Sequence, residues 1–533
     1  MLHPFLIAVF PILSLYAHNV DETPAAELVA PIGLILIGTL AVWVVVRRLT
    51  GDTLRSALAT SLLASLFFTF DLCTQAVNGL LNHLSRLWGQ SEHHVHPLPM
   101  LGLLALAAVP ALLAIWRRLK EPWAWTSYLN AFSLILVALP TGSAAMARMG
   151  ASAHPSHRRN EAVPLTPALG KRPDIYYIIL DTYACADVMK NQFGFDNGPF
   201  LTRLEQKGFF VARQSTANYC QTRLSLCSSL NFDYLQALID PAARDLTGMT
   251  PLIGENRIIK SLRPLGYKYV SFSSGYDPTE HPAADVYLRP RKPMTAFHRM
   301  LIGMTPMWVM MTKADTRDFF AFSRERTLFV LNHLPDITKI PEPTFTFAHI
   351  LCPHPPFVFG EQGEDISPRR RLFSLADGDR YAQQYNSAAG YRDGYRKQST
   401  FLTKQVEHTI ERILATSPEP PVIILQSDHG SALFHHVDDV DKTDLHERMG
   451  IINCFYFPDK NYEGLTDRTT PVNSFRIVLN HVFGASLPLR EPRNYFSTSK
   501  DPLDFIDVTK RLDPSLVGQG KYAPPSSYGG LMP

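Results

Sequence analysis

Hydrophobic and polar positions follow two different patterns along this chain. Up to about residue 150 the apolar residues come in long blocks: "PFLIAVFPILSLY" from Pro4, then 28–46, 56–72, 100–116 and 128–146. The last four approach the ~20 residues that a helix needs to cross a bilayer, and the first is short for a span. Four such blocks in succession, with short connections and almost no internal charge, argue against buried core helices. Beyond about residue 172 the pattern changes to short apolar runs, "IYYIIL", "GFFVAR", "YKYVSFS", "TFTFAHILC", "PPVIILQS" and "GIINCFYF". "IYYIIL" is bounded by Pro and Asp, as a central strand buried on both faces would be. Helical stretches lie between several of the runs, the clearest being "STFLTKQVEHTIERIL".

Strands alternating with helices predict a mostly parallel sheet covered by helices, with ligands bound beyond the carboxyl ends of the strands. The expected fold class is a multi-span α-helical membrane domain followed by an α/β domain. The expected boundaries are a transmembrane domain of about five helices over 1–149, a linker rich in Pro, Ala, Ser and His over 150–171, a catalytic domain over 172–510 and a tail over 511–533.

The mean hydropathy near zero averages these two halves and describes neither. A formal charge of +3 gives no bulk electrostatic reason to expect nucleic acid as a partner. The placement of the basic residues is more informative. Arg47, Arg48 and Arg55 follow the second block and Arg117, Arg118 and Lys120 follow the fourth, whereas Arg86 stands alone after the third and no basic residue follows the first. The positive-inside rule puts the second and fourth connections in the cytoplasm and everything after the fifth block outside it. If the first block is a cleaved signal peptide, four spans remain and the C-terminal domain is still extracytoplasmic. Five of the six cysteines fall in that domain, and no CxxC pair suggests a zinc cage.

Three places carry candidate chemistry. The first strand ends on Asp181, and the "PPVIILQS" strand runs into Asp428 and His429. "ANYCQTRLSLCSSLNF" sets Thr222 where a loop becomes a helix, a position at which Thr often serves as an ordinary N-cap. Two carboxylates and an imidazole suit zinc or manganese. A hydroxyl beside a dication and a helix N-terminus is a nucleophile for a phosphorus or sulfur centre. "FAHILCPHPPFVF" adds His349 and His354, with prolines stiffening the loop around His354. "HHVDDVDKTDLHERMG" adds His446, while His435 and His436 are expected at the surface. Arg476, in the helix opened by Thr470 and Pro471, is expected to be solvated, and the tyrosines of "YRDGYRK" from Tyr391 are expected mostly at the surface.

"IILDTY", "YCQTRLSLCSSL", "CPHPPF" and "QSDHG" occur in the order found in the sulfatase-like branch of the alkaline phosphatase superfamily. With the preceding spans, the chain resembles the membrane-anchored phosphoethanolamine transferases and lipoteichoic acid synthases of that branch. The resemblance implies an alkaline-phosphatase-like domain with Asp181, Asp428 and His429 as ligands of a Zn2+ or Mn2+ ion. It implies Thr222 as a nucleophile that also meets the metal, with His354 and His446 on the substrate side. Departures are visible too. "CQTR" around Cys220 lacks both the Pro and the Arg at the spacing of a formylglycine sulfatase motif, Asp181 stands where the transferases commonly carry Glu, and "SALFHH" replaces their "ESLGE".

The expected function is therefore transfer of a phosphoryl-type group, phosphoethanolamine or phosphoglycerol, from a membrane lipid to an envelope glycan or lipid through a covalent Thr222 intermediate. The expected location is the inner membrane with the catalytic domain periplasmic. The alternatives are a sulfatase or phosphodiesterase of the same superfamily, and a non-catalytic membrane scaffold with a degenerate hydrolase domain.

Overall fold

A computed structural model of the chain describes residues 1–20, 23, 25–87, 97–153, 161–166, 172–240, 246, 249–290, 295–309, 317–367, 376–385 and 388–513. Most of the expected linker and nearly all of the expected tail lie outside the described residues. The chain divides into two compact units.

The first unit contains α1 (His3–His18), α2 (Val29–Thr50), α3 (Thr53–Phe68), α4 (Phe70–Leu87), α5 (Pro97–Arg117) and α6 (Pro122–Ala153). Among the described residues, three stretches are long and apolar enough to cross a bilayer: Ala25–Thr50, Pro99–Arg117 and Pro122–Met146. Their outward residues include Leu34, Leu106 and Leu139, all about two-thirds exposed or more. Such a belt is favourable against lipid and costly against water. Helix α1 has 16 residues, which reach only ~24 Å. Its N-terminal amides are satisfied inside the unit, where Leu2 N and His3 N donate to Asn130 Oδ1 at 2.9 Å.

The third apolar block does not form one straight span. It bends by 55° between α3 and the Phe70–Leu81 part of α4, as a broken span or a re-entrant pair. The sequence of α4 explains this. Asp71, Gln75 and Asn78 put polar groups on a helix that would otherwise cross the hydrocarbon, and Gln75 Nε2 donates to Asp71 Oδ2 at 2.7 Å. The helix Ala296–Gly303 also belongs to this unit, although its sequence lies far along the chain. Its buried Phe297 packs with Ile12, Tyr16 and Ala144, and Thr295 and His298 both reach Glu27 Oε2 at 3.0 and 3.1 Å.

The second unit is built on a seven-stranded sheet in the order β2-β7-β6-β1-β5-β3-β4. The strands are β1 (Ile175–Leu180), β2 (Phe210–Val211), β3 (Lys268–Phe272), β4 (Val286–Leu288), β5 (Thr344–Ile350), β6 (Val422–Gln426) and β7 (Asn453–Tyr456). The central β1 runs parallel to β5 and β6, while β7 is antiparallel to β6 and to β2. Every residue of β1, β5 and β6 is buried. Side chains alternate across a strand. Ile175, Tyr177 and Ile179 therefore join the core with the helices Thr222–Leu230 and Pro471–Phe483, and Tyr176, Ile178 and Leu180 are equally buried on the opposite face. The register sets Leu180 against Ile350 and Ile179 against Gln426. The carboxyl ends of three central strands thus open at one edge.

Candidate active site at the carboxyl edge of the sheet

Asp181 follows β1 directly, and Ser427, Asp428 and His429 follow β6. The chain leaves β1 sharply, with Thr182 at φ 65°, a left-handed conformation that costs a β-branched residue ~1–3 kcal/mol. Two bonds hold it there. Thr182 N donates to Asp428 Oδ1 at 3.2 Å, and Tyr395 Oη donates to Thr182 O at 2.7 Å. Ser427 ties the two strand ends together, accepting from Tyr183 N at 2.9 Å and donating to His429 O at 2.7 Å. Gly430 completes the turn because backbone lies against it. A Cβ there would fall 2.0 Å from Glu447 O. The buried Glu447 carboxylate then accepts from Ser431 Oγ, Leu433 N and Phe434 N at 2.6–2.8 Å and clamps the segment that follows.

One ligand atom each from Asp181, Asp428 and His429 lies within 4.8 Å of the others. Asp181 Oδ1 and Asp428 Oδ2 are buried and have no hydrogen-bond partner among the described residues. Burial opposes ionisation of Asp181, but His354, His349 and His429 outweigh it and hold the carboxyl well below the usual carboxylate range. Burial, reinforced by the Arg448 guanidinium, outweighs the Asp428 and Asp181 carboxylates and lowers the pKa of His429. His349 Nε2 stands 3.3 Å from Asp181 Oδ2, and its Nδ1 pairs with Thr279 Oγ1 at 2.9 Å. Two buried carboxylate oxygens with no hydrogen-bond partner among the described residues, beside a buried imidazole, form the donor set of a divalent metal, so the residues present fit one.

Thr222 is the first residue of the helix Thr222–Leu230, and the cap position is Gln221, which makes no side-chain cap bond. Thr222 is therefore not an N-cap. Its Oγ1 lies 3.0 Å from His429 Nε2, and Ser225 Oγ fixes the helix to the strand end by donating to Asp428 O at 2.7 Å. Thr222, Asp181, His354 and His429 line one cavity of about 280 Å3. Cys220 is buried behind Thr222, its Sγ 3.5 Å from Ser497 O, and is not part of that lining.

His354 reaches the cavity from the loop after β5. Gln398 Nε2 anchors that loop by donating to the carbonyls of Pro353 and His354 at 3.2 and 3.1 Å. Burial disfavours a charged His354, but the carboxylates of Asp181 and Asp377 outweigh it and raise its pKa. His446 is not brought to this cavity. It is more than half exposed and pairs with Asp187 at 2.5 Å.

Several residues expected at the surface lie inside. His435 is buried and lines the cavity, because the loop after Gly430 folds back under the Glu447 clamp. Tyr391 and Tyr395 are buried, one donating to Asp377 Oδ1 at 2.9 Å and the other to Thr182 O. Their i, i+4 spacing on the helix Ala388–Thr416 was the available signal. Arg476 is buried, not solvated, since Asp233 lies 3.5 Å away and Phe232 O and Pro488 O accept from it at 2.7 Å.

Arg448 and Asp377 were not visible as site residues in the sequence. Arg448 is buried in the cavity wall, with Nη2 3.3 Å from His429 Nε2 and Nη1 3.4 Å from Asp377 Oδ2. Its Nε donates to Cys220 O at 2.9 Å, which ties the guanidinium to the start of the helix Thr222–Leu230.

No family model matches the chain, and no curated protein matches it. Solved structures do. The integral membrane lipooligosaccharide phosphoethanolamine transferase A (EptA) from Neisseria meningitidis is similar over 90% of this chain and 95% of its own, at 13% identity and a TM-score of 0.41. The C-terminal periplasmic domain of EptC from Escherichia coli is similar over 65% of this chain and 96% of its own, at 13% identity and a TM-score of 0.39. A putative sulfatase from Bacteroides thetaiotaomicron is similar over 62% of this chain and 74% of its own, at 13% identity and a TM-score of 0.38. These are distant likenesses.

Proposed function

We propose that this chain is a membrane-anchored, metal-dependent transferase, with its catalytic unit on the extracytoplasmic side of the inner membrane. It moves a phosphoryl-type group, phosphoethanolamine or phosphoglycerol, from a lipid to an envelope glycan or lipid. The observation that carries this reading is Thr222 Oγ1, set 3.0 Å from His429 Nε2 at a helix start, beside two buried carboxylate oxygens with no hydrogen-bond partner among the described residues. Asp181, Asp428 and His429 would hold Zn2+ or Mn2+, with Thr222 Oγ1 beside them. When bound, the dication supplies Lewis acidity that favours the ionised threonine hydroxyl and offsets charge on the transferred group.

The side chains divide the remaining work. Thr222 Oγ, its proton already released to solvent, attacks the phosphorus as the alkoxide; an Oγ–P bond forms and the bond from phosphorus to the lipid oxygen breaks. The departing oxygen takes a proton from His354, whose neighbouring carboxylates favour the protonated imidazole. The acceptor hydroxyl then gives its proton back to His354 and attacks the phosphorus, and the Oγ–P bond breaks. Arg448 faces the same space as a fixed, buried cation and balances charge on the non-bridging oxygens. Asp377 orients both His354 and Arg448, at 3.9 and 3.4 Å. The membrane spans keep the unit close to lipid donors at high effective concentration. The test is lipid and glycan mass spectrometry of cells carrying wild type, Thr222→Ala or Asp428→Asn, with equal insertion verified. The modified acceptor should appear with wild type alone; equal product from either variant overturns the reading.

A further inference from the structure

A second group of metal-ligand side chains lies outside the cavity. Cys185, Asp187 and His446 each offer one ligand atom, and these atoms lie within 4.8 Å of one another. Cys185 is the N-cap residue of α7 (Ala186–Phe193), Asp187 stands in its first turn, and His446 comes from the short helix Leu445–Met449. Two remote segments therefore supply the set. Cys185 Sγ is 2.9 Å from Asp187 Oδ1, and His446 Nε2 is 2.5 Å from Asp187 Oδ2. The backbone reserves space for the thiol. Cys185 N donates to Gly450 O at 3.1 Å, and a Cβ on Gly450 would fall 2.4 Å from Cys185 Sγ. The thiol is buried, while Asp187 and His446 are more than half exposed, which leaves one side open to water.

Thiolate, imidazole and carboxylate with one water make a four-coordinate set suited to zinc. We propose that Cys185, Asp187 and His446 bind a zinc-class dication, at a site separate from the group formed by Asp181, Asp428 and His429. Binding displaces the thiol proton to solvent and leaves a metal–thiolate bond, with no change of redox state. The site is structural in effect. The helix that carries His446 on its outer side also carries Glu447, which clamps the turn after Gly430, and Arg448, which enters the cavity. A dication there pins the outer side of a five-residue helix whose inner side arranges the active cavity.

The test uses the full-length protein in detergent, stripped with a chelator and reloaded with Co2+ alone. Thiolate ligation to Co2+ produces a charge-transfer band in the near ultraviolet, which carboxylate and imidazole ligation do not. Asp428→Asn protein, with its first site impaired, should still show the band and retain about one cobalt per chain. Cys185→Ser should abolish the band, and His446→Gln should weaken cobalt binding at least tenfold. In the unmutated protein, Zn2+ should slow alkylation of Cys185, which keeps the test independent of variant folding. No thiolate band in wild type, a band that survives Cys185→Ser, or Cys185 alkylation indifferent to Zn2+ overturns the proposal.

Discussion

Replacing Glu447 tests how the turn bearing Asp428 and His429 is held. The carboxylate is fully buried and accepts two backbone N–H groups, from Leu433 and Phe434, and the Ser431 hydroxyl. Glutamine keeps one acceptor oxygen and turns an NH2 group towards a remaining donor, so one buried N–H loses its partner at a cost of about 1–3 kcal/mol. Alanine orphans both amides and costs roughly 2–6 kcal/mol, from the same per-group figure. The clamp also has a pH signature. Burial pushes the Glu447 carboxyl up from 4.5 to about 7. The folded state therefore holds this proton more tightly than the unfolded state does. Its contribution is full below about pH 4.5 and is lost as pH rises through about 7, by at most ~3 kcal/mol. Hydrogen exchange at the Leu433 and Phe434 amides, converted to protection free energies at pH 5.5 and 8 across a urea series, measures both effects. Wild type should lose protection at the higher pH. Glu447→Gln should lose protection at pH 5.5 and show no such pH dependence, so that the two proteins converge at pH 8. Unchanged protection in Glu447→Gln at pH 5.5, or the same pH dependence in both proteins, refutes the clamp.

Other outcomes follow from the same geometry. Arg448→Ala should lower turnover about 10²–10³-fold, the size expected for removing one fixed donor to the transferred group. Equal losses in kcat and kcat/KM, measured on lipid vesicles, mark an interaction made in the transition state. Gly430→Ala should displace the turn, because its Cβ would overlap the carbonyls of Glu447 and Gly450; isothermal titration with Zn2+ should show at least tenfold weaker binding.

Much of this arrangement is legible in local sequence, for identifiable reasons. A strand buried on both faces is a continuous apolar run, so "IYYIIL" and "VIILQ" announce themselves, and a carboxylate at the end of such a run is conspicuous. Thr222 is legible as a helix start because few breakers follow it. What stays hidden depends on partners far along the chain. Arg476 looks solvated until Asp233, more than two hundred residues earlier, is found beside it. Arg448 becomes part of the site only through His429 and Cys220 O. His435 enters through a loop whose course is set by Glu447, and no hydrophobic period marks it. The bend between α3 and α4 was hidden by averaging, because a window over 56–72 counts Phe67, Phe68 and Phe70 and gives Asp71 too little weight.

The proposed transfer runs through a covalent intermediate on Thr222. Full-length protein mixed with phospholipid vesicles, quenched in acid and digested with trypsin gives the peptide 214–223, which contains both Cys220 and Thr222. Mass spectrometry should find the mass of a phosphoethanolamine or phosphoglycerol group on Thr222, absent from Asp428→Asn protein treated in the same way. An unmodified Thr222 in protein that is turning over, or formylglycine in place of Cys220, would contradict the account.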